Sequence, residues 1–186
     1  MRLRIYFEFI QQLIQATNSK FRFRVKPLAA GAGPQGVLDE MDEYVRTYGL
    51  NEDDQAWLVM DVDHHTHGVN LQILNAVTEK AGTKSYGVAL SNACFEVWLM
   101  LHLTETVPAL PSTQMERETR RVWPAYNKSR YDARHLKDGI ADAMQRAKTR
   151  DTTPDEPMPK QSGTRIYRLM EDLRAAIEKA GGTPPF

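Results

Sequence analysis

Asp61 and Asp63 stand one residue apart at the end of the apolar run Gln55-Ala-Trp-Leu-Val-Met60. If the strand implied by this run continues to Asp63, both side chains project to one face, because strand side chains repeat every second residue. Two neighbouring carboxylates repel unless a proton or cation neutralises them, and hard divalent ions such as Mg²⁺ prefer oxygen ligands. The pair therefore reads as a metal site, or else as an Asp-rich loop that follows a strand, caps the next helix and meets solvent. His64, His65 and His67 follow directly, a set whose chemistry suits a transition metal. His64 and His65 are adjacent, however, and no glutamate takes a zincin-like position, which favours the rim of a carboxylate site. Glu96 lies in Ser91-Asn-Ala-Cys-Phe-Glu-Val-Trp-Leu-Met-Leu-His102, a helix-forming segment that is apolar almost all round. A carboxylate there is held by the helix dipole or points into the site, and it needs a metal, a base or a capping amide beside it. His102 reads as a hydrogen-bonded core histidine before a catalytic one.

These residues need a scaffold that brings them together. Gln55 to Met60 reads as a strand buried on both faces, as in a parallel sheet covered by helices, and ligands of such sheets sit beyond the carboxyl ends of the strands. Upstream, Tyr6, Ile10, Leu13 and Ile14 predict a helix that stops at Thr17-Asn18-Ser19. Phe21, Phe23 and Val25 alternate with Arg22, Arg24 and Lys26, which predicts a strand with one wet side at a sheet edge. Gly31 to Gly36 lacks the lysine and spacing of a Walker motif, so it reads as a connection. Pro34 starts a helix with Val37, Met41, Tyr44, Val45 and Tyr48 on one face, ending near Gly49.

Downstream, Val69, Ile73, Ala76 and Val77 predict the inner face of a further helix. Lys84 to Leu90 predicts a strand, with Ser91-Asn92 as a helix cap, and the whole reads as right-handed βαβ units. The remainder is helical: Gln114 to Val122, charged and ended by Pro124; Leu136, Ile140, Ala143, Met144 and Ala147; and Ile166, Leu169, Met170, Leu173 and Ile177. A polar, proline-rich loop from Thr152 to Gly163 is expected to be mobile, and Gly181 to Phe186 to fray. The fold class is α/β, a mainly parallel central sheet flanked by helices with a helical carboxyl-terminal half. The division is a core over 1–110 and a helical extension over 111–186 packed on it.

At 186 residues the chain fits one domain with a real core. Lysines and arginines number 24 and so do aspartates and glutamates, so no overall basic field draws nucleic acid in. Basic residues cluster locally at Arg2, Arg4, Lys20, Arg22, Arg24 and Lys26, and again from Arg117 to Arg134, a pattern usually explained by a solvated face. Cys94 is the only cysteine, which excludes an intrachain disulfide and a cysteine-based zinc cluster and makes a reducing, cytoplasmic setting the default. No apolar run approaches membrane-spanning length, and charged residues interrupt the amino end, so neither a membrane helix nor a signal peptide is expected.

Tyr6-Phe7, Val59-Met60-Asp61-Val62-Asp63, and the string Asn92-x-Cys-Phe-Glu-x-Trp-Leu-x-Leu-His102 together resemble the RloB family. Tyr126 to Tyr131, Ile140-Ala141, Arg146-Ala-Lys148 and Thr164-Arg-Ile-Tyr-Arg-Leu169 follow in the family's order, and Ala93 stands where the family commonly has proline. The resemblance implies a Toprim-like core over 1–110, encoded in bacteria beside restriction or abortive-infection genes and often beside an AAA or ABC-type ATPase. Toprim sites join a glutamate on the first strand to an Asp-x-Asp motif, and all three acids serve Mg²⁺-dependent phosphodiester chemistry.

Asp61 and Asp63 match the second motif, but Met1-Arg-Leu-Arg-Ile5 stands where an acidic Glu-Gly stretch is expected. Either the native protein begins upstream of this start, the expectation we favour, or the completing acid is lost. Glu96 is then the candidate third acid, so Asp61, Asp63 and Glu96 are the expected ligands of Mg²⁺ or Mn²⁺. His64, His65 or Lys128 would aid proton transfer or contact phosphate. The expected function is a nuclease-like Toprim enzyme of an anti-phage system acting on DNA or RNA, in a possible homo-oligomer. The alternatives are a catalytically inactive module that binds a companion ATPase, and a phosphotransfer or nucleotide-processing enzyme.

Overall fold

The computed structural model describes residues 2–17, 20–27, 33–62 and 68–186, and for 68–71 the backbone alone. Asp63, His64, His65 and His67 lie outside the described residues, and so do the expected shared face of the aspartate pair, the histidine rim and, of the Gly31–Gly36 connection, Gly31 and Ala32; Pro34 to Gly36 belong to a helix.

Helix α1 (Arg2–Gln15) forms where the aromatic and aliphatic residues recur at helical spacing, and it buries Tyr6, Phe7, Phe9, Ile10 and Ile14. Helix α2 (Pro34–Tyr48) starts on a proline, whose fixed φ suits a first turn, and stops at Gly49, whose φ of 70° a side chain would resist. Strand β1 (Trp57–Asp61), helix α3 (Gly68–Thr83) and strand β2 (Gly87–Asn92) make one parallel crossover, with Trp57 opposite Gly87 and Asp61 opposite Ser91. After α4 (Glu96–Leu101) and α5 (Ser112–Val122), a 3-10 helix (Ala133–Gly139) runs straight into α6 (Ile140–Arg150). The short strand β3 (Gly163–Thr164) then pairs antiparallel with β2, and α7 (Ile166–Lys179) follows. The molecule is thus α/β, but its sheet among the described residues is small and mixed, in the order β1-β2-β3.

The sheet separates two apolar layers. Leu58 and Met60 of β1 enter the smaller one with Leu38 of α2, Leu74, Val77 and Ala81 of α3, and Leu90 of β2. Trp57 and Val59 face the larger one, built from α1, α4, α5, α6 and α7. Burial along β1 therefore alternates, instead of being complete on both faces as the run of apolar residues suggests. Asp61 shares the Trp57 and Val59 side by strand parity, and so points toward α1 and α4.

Several local expectations change. Residues 21–27 form no strand; Phe21, Phe23 and Val25 are half-buried and the intervening residues exposed, so side-chain burial sets the alternation without a ladder. Ser91 and Asn92 end β2 and do not cap a helix. Ser91 Oγ instead lies 2.8 Å from Thr164 Oγ1, and Asn92 Nδ2 donates to the Pro159 carbonyl. The inner face of α3 is Leu74, Val77 and Ala81; of the expected stripe Val77 is buried, whereas Ile73 and Ala76 are exposed.

The segment expected to be mobile is fastened from below. Arg165, itself buried, donates to the carbonyls of Thr153 and Glu156, and Arg168 to that of Pro154. Phe186 is half-buried against the larger layer instead of fraying.

Candidate functional site

Three chain segments meet where β1 ends. Asp61 is the last residue of β1, Glu96 the first of α4, and Arg2 the first of α1. The Arg2 guanidinium donates through Nη2 to Asp61 Oδ2, while its Nε lies 3.1 Å from Glu96 Oε2. Those two nitrogens form one edge of a rigid planar fork, so the two carboxylates sit side by side along it. Glu96 is 2 % exposed and the Arg2 and Asp61 side chains 11 % and 16 %, which places the group at the inner edge of the surface.

Second contacts fix these groups. Tyr126 donates its hydroxyl to Glu96 Oε1 at 2.9 Å, and Tyr131 donates to the Arg2 carbonyl at 2.5 Å. Burial works against the charge on Arg2, but Asp61 and Glu96 outweigh it and hold the guanidinium protonated above its ordinary range. Burial, reinforced by the charge of Glu96, raises the phenols of Tyr126 and Tyr131, so both remain donors. The same two causes raise the Cys94 thiol, which therefore offers no thiolate to a soft metal.

Sequence reasoning asked what partner a buried Glu96 would have. The answer is an arginine and a tyrosine, 94 and 30 residues away in the chain. Neither carried a signal as a site residue, although Tyr126 belongs to the pattern behind the family resemblance. Asp61 and Glu96 both contact Arg2. Asp63 and His64 lie outside the described residues. Lys128 is exposed in a turn two residues after Tyr126, and no contact among the described residues joins it to the carboxylates. Among the described residues no group of three His, Cys, Asp or Glu side chains is gathered closely enough to hold an ion.

His102 is a core residue, as its setting predicts. Its Nδ1 lies 2.9 Å from the Trp98 carbonyl, which can only accept, so Nδ1 carries the hydrogen and Nε2 accepts from the Tyr6 hydroxyl at 3.0 Å. Burial lowers its pKa to about 4, so the ring is neutral near pH 7.

No helix among the described residues is long and apolar enough to cross a membrane. No curated relative and no solved structure matches the chain. The family model described as RloB-like protein matches residues 4–173, a span that holds Asp61, Glu96 and Tyr126 and leaves out Arg2. With most of its length matched, and both described acids of the site inside the match, this protein belongs to the RloB-like family.

Proposed function

We propose that the chain is a Toprim-like, Mg²⁺-dependent enzyme of phosphodiester cleavage, acting on nucleic acid in a bacterial anti-phage system of the RloB type. The observation that carries this reading is the convergence of two carboxylates, the half-buried Asp61 at the carboxyl end of β1 and the buried Glu96 at the start of α4, on a single cation, the Arg2 guanidinium. Carboxylate oxygens are the donors a hard divalent ion prefers, and the only thiol nearby is held protonated, so the donor set fits Mg²⁺ or Mn²⁺ and not a thiolate-seeking metal. Asp61 and Glu96 would hold the ion, with Asp63 as the third ligand. A bound ion of this kind activates water and neutralises charge on the transferring phosphate. Tyr126 orients Glu96 through its hydrogen bond, and the Arg2 fork has the shape that grips a phosphate when it is not engaged by acids. His64 and Lys128 are proposed to move protons or touch the phosphate backbone.

A second reading, a non-catalytic module that binds a companion ATPase, draws support from the same arginine, since Arg2 already pairs with both acids without a metal. A cleavage assay on single-stranded and duplex DNA and RNA with Mg²⁺ or Mn²⁺ separates the two. Asp61→Ala is expected to lower cleavage about a hundredfold or more, the loss typical when one preorganised charge-stabilising group is removed. Equal cleavage by wild type and Asp61→Ala removes Asp61 from the mechanism. Absence of cleavage together with stable co-purification of a neighbouring ATPase supports the module.

A further inference from the structure

Segment 20–26 has a two-sided character that the carboxylate site does not use. Phe21, Phe23 and Val25 are anchored in the larger apolar layer; the Phe23 ring lies 6.4 Å from Phe7, and Gln11 donates to the Phe23 carbonyl. With its apolar side held, the other side is fixed outward, and Lys20, Arg22, Arg24 and Lys26 are all exposed. Burial alternates with exposure from residue 21 to residue 26, so the cations form a row on the outward side of the segment. Because α1 ends at Gln15 and residue 23 already lies beside residues 7 and 11, the row runs back along α1 toward the end that carries Arg2.

At its far end the row meets an aromatic surface on α2. Arg24 Nη1 lies 3.4 Å from the Tyr44 hydroxyl, and the Lys26 ammonium sits 5.5 Å from the Tyr44 ring centre while also pairing with Glu40. The Tyr44 and Tyr48 rings lie 4.8 Å apart, tilted by 43°, with Tyr48 71 % exposed. Arg24 and Lys20 have no carboxylate partner among the described residues. The Tyr48 ring is thus left largely to solvent at the end of a row of exposed cations.

We propose that residues 20–26 and the Tyr44–Tyr48 pair form a track for single-stranded nucleic acid, the cations following the phosphates and Tyr48 stacking on a base. Single-strand binders combine these two parts, a positively charged path and aromatic faces. A duplex hides its base faces, so the exposed ring selects against it. The inference rests on the nuclease reading for the identity of its partner, and it supplies that reading with a substrate class and a direction of approach.

The test is fluorescence anisotropy of a labelled 20-nucleotide single strand and of the matching duplex, with wild-type protein in EDTA, so that binding is read without cleavage. The single strand is expected to bind at least tenfold more tightly than the duplex. Lys20→Ala with Arg24→Ala should reduce the slope of log affinity against log salt by about 1.4, the share of two phosphate contacts. Tyr48→Ala should weaken binding by about fivefold or more with an unchanged salt slope, the mark of lost stacking. Circular dichroism melting of each variant excludes a folding defect. Duplex binding as tight as single-strand binding overturns the proposal, as does wild-type affinity in the variants. Absence of cleavage by the wild-type protein with Mg²⁺ or Mn²⁺, with these binding results intact, removes the nuclease reading and leaves the track standing.

Discussion

A buried ionised group is stable only if its surroundings replace the water it has lost, and two residues here meet that requirement in opposite ways. Glu96 is matched by Arg2 and by the Tyr126 hydroxyl. His102 is instead kept neutral, wedged between Tyr6 and the Trp98 carbonyl. The second arrangement has a consequence in pH. The folded ring titrates near 4 and a free one near 6.5, so between these values the unfolded chain takes up the proton and the folded chain does not. Stability is therefore complete above about pH 6.5 and falls as the pH drops toward 4, by up to about 3 kcal/mol. Urea unfolding across pH 4 to 7 is expected to trace this limb, and His102→Gln to flatten it.

Arg2 leads to a different outcome. A guanidinium and a divalent ion compete for the same oxygens, so Arg2→Ala should let Mg²⁺ raise the melting temperature more than it does in the wild type. A smaller Mg²⁺ effect in that variant would mean that Arg2 supports the ion instead of excluding it.

Elements meet closely at particular glycines. At Gly139, where the 3-10 helix passes into α6, a side-chain carbon would lie 2.3 Å from the His102 carbonyl oxygen, a backbone atom at the end of α4. Gly139→Ala must therefore push two elements apart, at a cost of about 1–3 kcal/mol by the usual penalty for overpacking. Chemical denaturation measures that cost. Gly82→Ala in α3, where a methyl meets nothing within 4 Å, serves as the control and should be neutral or stabilising. Periodicity located α1, α6 and α7 well, since each buries an apolar stripe, but in α2 it missed the buried Leu38 and included the exposed Tyr48. It misjudged part of the inner face of α3 and turned 21–27 into a strand, because alternating burial records which side faces the core and carries no information about a hydrogen-bonded neighbour.

Across the whole molecule, the carboxyl-terminal half is tied into the sheet through β3 and through Asp151. This buried carboxylate receives Arg165 Nε at 3.1 Å, Arg168 Nη2 at 3.1 Å and the Tyr167 hydroxyl at 3.0 Å. Those two arginines hold the carbonyls of the 152–162 segment, so one acid links the end of α6, the segment and the start of α7. Asp151→Ala leaves the Arg165 charge buried without its partner, a change that costs about 3–5 kcal/mol. The expected result is a lower denaturant midpoint together with faster proteolytic nicking within 152–162. Nicking at the wild-type rate would show that the segment is held by its own carbonyl contacts alone.

Composition and spacing alone settled that this is an α/β chain with an acid-ended strand, a buried segment carrying Glu96 and a final amphipathic helix, and they carried the resemblance to the RloB-like family. These features are local: a helical stripe or an apolar run is written in residues a few positions apart. The join of Arg2 to Asp61 and Glu96, 59 and 94 residues away, and the antiparallel turn of β3 onto β2 are decided only when the chain closes on itself. Pairing across such separations depends on which surfaces the two apolar layers bring together, and no periodicity in one dimension encodes that.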